Sequence, residues 1–217
     1  MTRLLRRLRG ESGYSLVELL TVMAILGVVL GGLTALFVGG SNAQLDMNRR
    51  FEAQQAARLA LDKMRREVHC ASGAATAPAT GASNHVILTL PGQCPTAVNG
   101  ATTSISWCTV QVSANRFALY RQVGATCGSG GVKWADFLAP HPSVADSTAG
   151  QLRIFRYQPS GLPTGAPAGA ETKARLRVVF PVDVKVGDAT PVYALCDQLV
   201  LRNTSRSGSG GDPLPAC

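Results

Sequence analysis

A carboxylate inside an apolar run is the first feature of this sequence that bears on chemistry. Glu18 stands near the start of residues 16–38, a run with no other charged side chain. As an α-helix the run would reach ~35 Å at about 1.5 Å per residue, which exceeds the ~30 Å hydrocarbon core of a bilayer. A charge at the centre of such a helix costs about 2.5–3.5 kcal/mol, and less near the interface. In the first turn of such a helix, Glu18 would lie among headgroups, where the helix dipole favours an anion.

The cysteines form the second group of reactive side chains. All of them lie C-terminal to the apolar run, and they are Cys70, Cys94, Cys108, Cys127, Cys196 and Cys217. They include no CxxC pair and no histidine at zinc-ligand spacing, so we predict no metal site. Disulfides in an oxidising compartment are the better interpretation. Six cysteines allow many pairings, and Cys196 is one candidate partner for Cys217 at the end of the glycine-rich tail.

The remaining polar residues form no catalytic pattern. His69, His85 and His141 are far apart, and we expect each to be structural or on the surface. The chain has no HExxH, GxSxG, GxxxxGK[ST] or paired-carboxylate motif, so we expect no enzymatic activity and no cofactor. The formal net charge of +8 leaves nucleic-acid binding possible. We do not predict such binding, because acidic residues are interspersed among the basic ones.

The charges that flank the apolar run predict its orientation. Arg3, Arg6, Arg7 and Arg9 precede the run, and none follows closely behind it. This asymmetry places the N-terminus in the cytoplasm and the rest of the chain outside. A cleaved secretory signal is the alternative. The run is longer than an ordinary signal core, however, and the "SNA" that follows it is a poor cleavage site.

The stretch "GYSLVE", Gly13 to Glu18, followed by about twenty apolar residues, resembles the class III leader of type IV pilins and type II secretion pseudopilins. The resemblance implies that a prepilin peptidase cuts between Gly13 and Tyr14, that Tyr14 is then N-methylated, and that the apolar helix stays attached as the filament core. It also implies that Glu18 pairs with the Tyr14 amine of a neighbouring subunit. Two departures are visible. The family usually has phenylalanine at the position of Tyr14, and no helix-interior proline precedes Pro78, unlike in many major pilins.

Four segments follow from the leader and from the composition. They are a leader peptide at 1–13, a transmembrane helix at 14–40, an amphipathic spine helix at 41–72 and a β-rich external domain at 73–217. The "GGSN" at 39–42 is a place where the helix could break or bend.

The spine helix is predicted from an apolar stripe with helical spacing. The stripe consists of Ala57, Leu61, Met64, Val68 and Ala71. We predict that it packs onto the chain's own sheet, with a partner coiled coil as the alternative. The polar face is assigned to Arg58, Asp62, Arg65, Arg66 and Glu67.

Strand-like segments rich in Val, Ile, Thr, Phe and Tyr occupy much of the remaining chain. The predicted strands are 85–90, 103–112, 116–122, 151–158, 174–184 and 192–202. A hairpin turn is predicted at Ala114–Asn115, and the small, proline-broken residues 71–84 are predicted to form a linker or loop. The fold class is therefore α+β, a long N-terminal helix followed by an antiparallel sheet.

The resemblance implies a structural subunit of a type IV pilus or type II secretion pseudopilus. The chain length, the long loops and the "LVLRN" near the end are similar to those of the larger minor subunits, and Glu18 argues against the tip type that lacks this acid. The implied partners are the prepilin peptidase/methyltransferase, other pilin subunits and the membrane, which the chain crosses once. The implied location is the cell membrane, with assembly on the surface or in the envelope. The alternatives are a membrane-anchored or secreted binding or adhesion domain and a minor pilin for DNA uptake.

Overall fold

A computed structural model describes residues 15–77, 81–144, 150–185, 193–206, 210 and 214–217. The chain divides into two units, Met1–Asn48 and Arg49–Cys217. The predicted cleavage site between Gly13 and Tyr14 lies outside the described residues.

One α-helix, α1, spans Leu16–Cys70. The sequence left open a break or a bend at 39–42, and no break occurs, because α1 is helical throughout this stretch. Each glycine in an exposed helix costs about 1 kcal/mol relative to alanine, which is too little to interrupt a ladder of helix-forming neighbours on both sides.

The first unit contains the part of α1 up to Asn48. Its large apolar side chains are exposed, from 49% for Leu26 to 78% for Val28. Two of its hydroxyl groups bond to the helix itself: Thr21 Oγ1 donates to the Glu18 carbonyl at 2.9 Å and Thr34 Oγ1 to the Leu30 carbonyl at 2.8 Å. A helix in lipid must satisfy its polar groups internally in this way. By length and composition α1 can cross a membrane.

The second unit places the C-terminal part of α1 against an antiparallel sheet. The strands described are β1 Gly73–Thr76, β2 Ala82–Ser83, β3 His85–Leu90, β4 Thr103–Ser113, β5 Arg116–Val123, β6 Val132–Leu138, β7 Phe155–Gln158, β8 Arg175–Val182 and β9 Tyr193–Val200. Their order is β1-β3-β4-β5-β6-β8-β7-β2, with β9 paired to β8. A short 3-10 helix, Pro142–Val144, follows β6. The predicted α+β class is confirmed.

The core lies between α1 and the sheet. The predicted stripe is confirmed, because Ala57, Leu61, Met64, Val68 and Ala71 are all buried, none of them more than 5% exposed. They share one core with aromatic side chains from four strands, Trp107, Phe117, Phe155 and Phe180. The helix therefore packs on its own sheet, as predicted, and Glu67, which the sequence assigned to the polar face, lies within this core.

Three strands occur where the sequence did not predict them. The linker or loop prediction for 71–84 was wrong in part, because β1 pairs with β3 and β2 pairs with β7. Residues "GAAT" of β1 include only one β-branched residue, Thr76, and no aromatic one, so the sequence gives little strand signal, and β3 supplies the pairing. β6 was missed because its charged residues, Lys133 and Asp136, and the irregular register with β5 hide the alternation. The predicted hairpin at Ala114–Asn115 is confirmed, with Asn115 at a φ of 55°.

Candidate functional site

Glu18 lies in the first turn of α1, with its side chain exposed. The Leu19 N–H donates to the Ser15 carbonyl at 3.1 Å, which makes Ser15 the N-cap and Glu18 the third helical residue. The positive end of the helix dipole favours a carboxylate here. No side chain within the described residues donates to the carboxylate, so it is available to a group outside this chain.

The apolar surface of the first unit surrounds Glu18. Leu16, Val17, Leu19 and Leu20 are 56–77% exposed, and the apolar side chains continue along α1 for several turns. Soluble proteins rarely expose such a continuous apolar surface, and where one occurs it marks a membrane or protein contact. Glu18 is therefore a single anion at one end of a surface that lipid or other helices must cover.

In the second unit, a buried acidic residue fixes α1 to the sheet. Glu67 is fully buried and accepts from Trp107 Nε1 of β4 at 2.8 Å. Arg121 of β5 donates to Glu67 Oε1 twice, from Nε at 2.9 Å and from Nη2 at 2.8 Å. Lys63, one turn earlier on the helix, lies 3.6 Å away. A buried carboxylate is tolerated when charge and hydrogen bonds are both satisfied, and here they are. The network fixes the rotation of the C-terminal part of α1 about its axis and its position along β4 and β5.

Further polar contacts reinforce this packing at the surface. Arg65 Nη2 lies 2.6 Å from Asp197 Oδ2 of β9, and hydrogen bonding with Asp197 raises the pKa of Arg65. Arg58 Nη2 donates to the Tyr193 hydroxyl at 3.4 Å. Exposed pairs of this kind contribute little to stability, so they orient the helix more than they hold it.

A second charged cluster, centred on Asp136, lies where β5 pairs with β6. Burial alone raises the pKa of Asp136, but donors outweigh it: the Phe137 N–H at 2.7 Å, Lys133 Nζ at 3.0 Å and Arg116 Nη2 at 3.0 Å. The net effect lowers its pKa. The Arg116 guanidinium also lies 3.9 Å above the Phe137 ring. This cluster stabilises the irregular pairing between β5 and β6.

All six cysteines are paired. The disulfides join Cys70 to Cys94, Cys108 to Cys127 and Cys196 to Cys217. The first ties the end of α1 to the loop after β3, the second ties β4 to the loop after β5, and the third ties the tail to β9. The prediction that the chain contains disulfides is confirmed.

The tail is also held by hydrogen bonds. Arg177 Nη2 donates to the Ala216 carbonyl at 3.3 Å, and Gln198 Nε2 donates to the Pro215 carbonyl at 3.0 Å. Burial lowers the pKa of Arg177, and Arg156, its partner across β7 and β8, lowers it further. The tail thus covers part of a basic stretch of the sheet.

Sequence reasoning missed the Glu67–Trp107–Arg121 network. Helical spacing alone would have predicted that Glu67 lies beside the buried stripe, because this residue immediately precedes Val68 and lies three residues after Met64. Nothing local identifies its partners, which stand 40 and 54 residues further along the chain.

The comparisons with known proteins address the N-terminal part of the chain. Residues 8–34 match the prokaryotic N-terminal methylation motif. Comparisons with curated proteins and with solved structures give no match. Proteins with this motif are generally structural rather than enzymatic, and the motif implies processing by a prepilin peptidase and assembly with other pilins. The motif and the apolar helix together indicate membrane anchoring with an external domain. The chain therefore carries an N-terminal methylation motif consistent with the type IV pilin and pseudopilin family, and this motif supports a pilin-like or pseudopilin subunit.

Proposed function

We propose that this protein is a minor structural subunit of a type IV pilus or a type II secretion pseudopilus. The observation that carries the proposal is the methylation motif at residues 8–34, which leads into a helix whose apolar side chains are exposed. A motif alone would fit any membrane-anchored protein with this leader. An apolar helix that continues into the core of a disulfide-bonded domain also suits a subunit that is first held in a membrane and later packed among other helices.

The proposed processing follows from the leader. The peptidase cuts between Gly13 and Tyr14 on the cytoplasmic side, and the new Tyr14 amine is methylated. The basic residues ahead of Gly13 keep this end in the cytoplasm, so the second unit lies outside, where its disulfides persist. These steps leave a positive amine four residues ahead of Glu18.

The proposed role of Glu18 is to neutralise that amine on a neighbouring subunit. Within an apolar bundle a lone carboxylate and a lone amine each carry a desolvation cost of several kcal/mol, and an ion pair offsets both. The structure supports this role in two respects: the carboxylate is exposed, and the apolar surface around it needs covering. In a single chain the helix dipole already stabilises the Glu18 carboxylate, so we assign the ion pair a role in assembly.

The minor role rests on the size of the external domain and its loops. Long loops, such as residues 159–174 between β7 and β8, are similar to those of the larger minor subunits. Retention of Glu18 favours a subunit within the filament over a tip subunit of the type that lacks this acid.

Two substitutions at Glu18 test the proposal, with processing and assembly scored in the same cells. Glu18→Ala and Glu18→Gln should insert and be cleaved normally, because both steps involve the isolated chain. Both should be lost from sheared filaments, and Glu18→Gln separates charge from shape. Thr34→Val, further along the same exposed surface, is the matched control and should assemble like the wild type. If both Glu18 variants co-purify with filaments at wild-type levels, the pairing is wrong. If mass spectrometry finds a mature N-terminus other than Tyr14, the pilin assignment itself fails.

A further inference from the structure

A cavity of about 470 Å³ opens beside the C-terminal turns of α1. One wall is a column of side chains at helical spacing, Lys63, Arg66 and His69. Residues three apart on a helix are neighbours, with Cβ atoms about 5–6 Å apart, so these three groups face the same space. Arg202 and Asn203, which follow β9, line the cavity as well, and so does Thr96 from the loop after β3. The volume falls in the range of about 300–1,000 Å³ that is typical of small-molecule sites.

The charge around this cavity is unbalanced. No carboxylate is among its lining residues. Lys63 lies 3.6 Å from Glu67, but that carboxylate already accepts twice from Arg121. Among the residues that the structure describes, no acidic group forms an ion pair with Arg66 or Arg202. The C-terminal dipole of α1 amounts to roughly half a negative charge, which is less than these cations carry together.

A disulfide and two hydrogen bonds fix the segments that line the cavity. The Cys70–Cys94 disulfide joins the end of α1 to the loop that carries Thr96. Asn203 Nδ2 donates to the Cys70 carbonyl at 2.7 Å, and Lys173 Nζ donates to the Arg202 carbonyl. The helix, the loop and the turn after β9 are therefore fastened to one another around Cys70. A site fixed in this way loses little conformational entropy when a ligand binds.

We propose that this cavity binds the phosphate group of a small organic phosphate. Arg66 and Arg202 present guanidinium forks, which suit the oxygens of a phosphate, and Lys63 adds a point charge. A dianion matches two or more unpaired cations better than a single carboxylate does. The cavity is larger than phosphate alone requires, and Pro95 contributes apolar surface for an organic substituent. The phosphate group belongs either to a soluble ester or to a lipid headgroup.

His69 serves as a reporter within this cavity. Its pKa is lowered, first by burial and then by the positive charges of Arg202 and Arg65, while Asp197 opposes them. Lys63 and Arg66 are the other charged groups that line the cavity with it. A bound phosphate would favour the imidazolium form and would therefore raise the pKa of His69.

The test uses the full chain in maltoside micelles with ¹³C-labelled histidine. Inorganic phosphate and glycerol 3-phosphate are titrated separately at constant ionic strength, with chloride as the balancing ion. Each should raise the pKa of His69 saturably and leave His85 and His141 unchanged. A third arm places the protein in phosphatidylglycerol vesicles without soluble phosphate. A raised pKa in that arm identifies the lipid headgroup as the source, and a response only to the soluble compounds identifies a soluble phosphate.

Arg66→Gln and Arg202→Gln should each weaken phosphate binding roughly tenfold or more, because each removes a charge-assisted donor pair. Without phosphate, Arg202→Gln should itself raise the pKa of His69, since a nearby cation is lost. The matched control is Arg49→Gln, an exposed arginine on the same helix and ~21 Å from Lys63 along the helix axis. It should change phosphate affinity by less than about twofold. The proposal is overturned if His69 responds in none of the three arms, or if Arg49→Gln weakens binding as much as Arg202→Gln does.

Discussion

Replacing Glu67 by glutamine should destabilise the external domain without changing its shape. Glutamine has the same outline as glutamate, but it has one carbonyl oxygen and an amide group that donates. Trp107 donates to Glu67 Oε2, and Arg121 donates to Oε1. Whichever way the amide is turned, its NH₂ group meets one of these donors. Glu67→Gln therefore loses a charge and leaves a donor without an acceptor in the core.

The magnitude follows from the burial of the three groups. Glu67 is fully buried, and the Arg121 side chain is only 15% exposed. A buried donor left unsatisfied costs about 1–3 kcal/mol. Removing one partner of a buried ion pair costs about 3–5 kcal/mol in all. We expect Glu67→Gln to lower the free energy of unfolding by ~3 kcal/mol, a large fraction of the stability of an ordinary domain.

Tryptophan fluorescence measures this change directly. Both tryptophans, Trp107 and Trp134, lie in the sheet with ring centroids 5.8 Å apart, so urea unfolding of the full chain in micelles reports on the external domain. With a slope of about 1–3 kcal/mol per molar urea, the midpoint should fall by at least ~1 M. The control Asp62→Asn removes an exposed acid five residues earlier on the same helix and should cost less than ~0.5 kcal/mol.

A double-mutant cycle with Arg121 separates the ion pair from the packing. Once Glu67 is neutral, removing the charge of Arg121 should cost little, so Arg121→Gln should be milder in the Glu67→Gln background by ~1 kcal/mol or more. Equal midpoints for Glu67→Gln and Asp62→Asn would refute the view that Glu67 fixes the helix to the sheet.

Three further predictions concern the same unit. Cys217→Ser should cost about 3 kcal/mol by freeing the tail, and non-reducing peptide mapping of the wild type should find Cys196 with Cys217; a different partner would contradict the described pairing. Met64→Ala should cost about 2–5 kcal/mol in urea unfolding because Met64 is fully buried, and a cost under ~1 kcal/mol would mean that the helix is loosely packed. The pKa of Asp136 is lowered below its ordinary value of 3.8, so its contribution is present above that value and is lost as pH falls through the lowered pKa. Asp136→Asn should therefore flatten the acid side of the stability curve, and an unchanged curve would contradict this.

The helix and the longer strands could be predicted because their information is local. The spacing of Ala57, Leu61 and Met64 predicts both a helix and its buried face, since each step brings the chain back to one side. Residues 85–90, which are mostly apolar or β-branched, correspond to β3 without a shift, and Val86, Leu88 and Leu90 are the ones that are buried. In both cases, the apolar residues that mark the element in the sequence supply the side chains that the fold buries.

The remaining features depend on partners far away in sequence. β1 is a strand because β3 lies beside it, and three of its four residues, Gly73, Ala74 and Ala75, show no strand preference. Glu67 was assigned to the polar face because charge usually indicates solvent, and only Arg121 and Trp107 make its burial tolerable. The cavity beside His69 is formed by α1, a loop and the turn after β9, which no single stretch of sequence contains.

The disulfide connectivity has a consequence for how such a chain matures. The cysteines pair in chain order, the first with the second, the third with the fourth and the fifth with the sixth, so the three crosslinked loops neither overlap nor enclose one another. A polypeptide exported from its N-terminal side exposes Cys70 and Cys94 first, then Cys108 and Cys127, and finally Cys196 and Cys217. An oxidase that simply joins cysteines in order of emergence would therefore produce the described set. Maturation should then depend on a thiol oxidase and be indifferent to the loss of a disulfide isomerase.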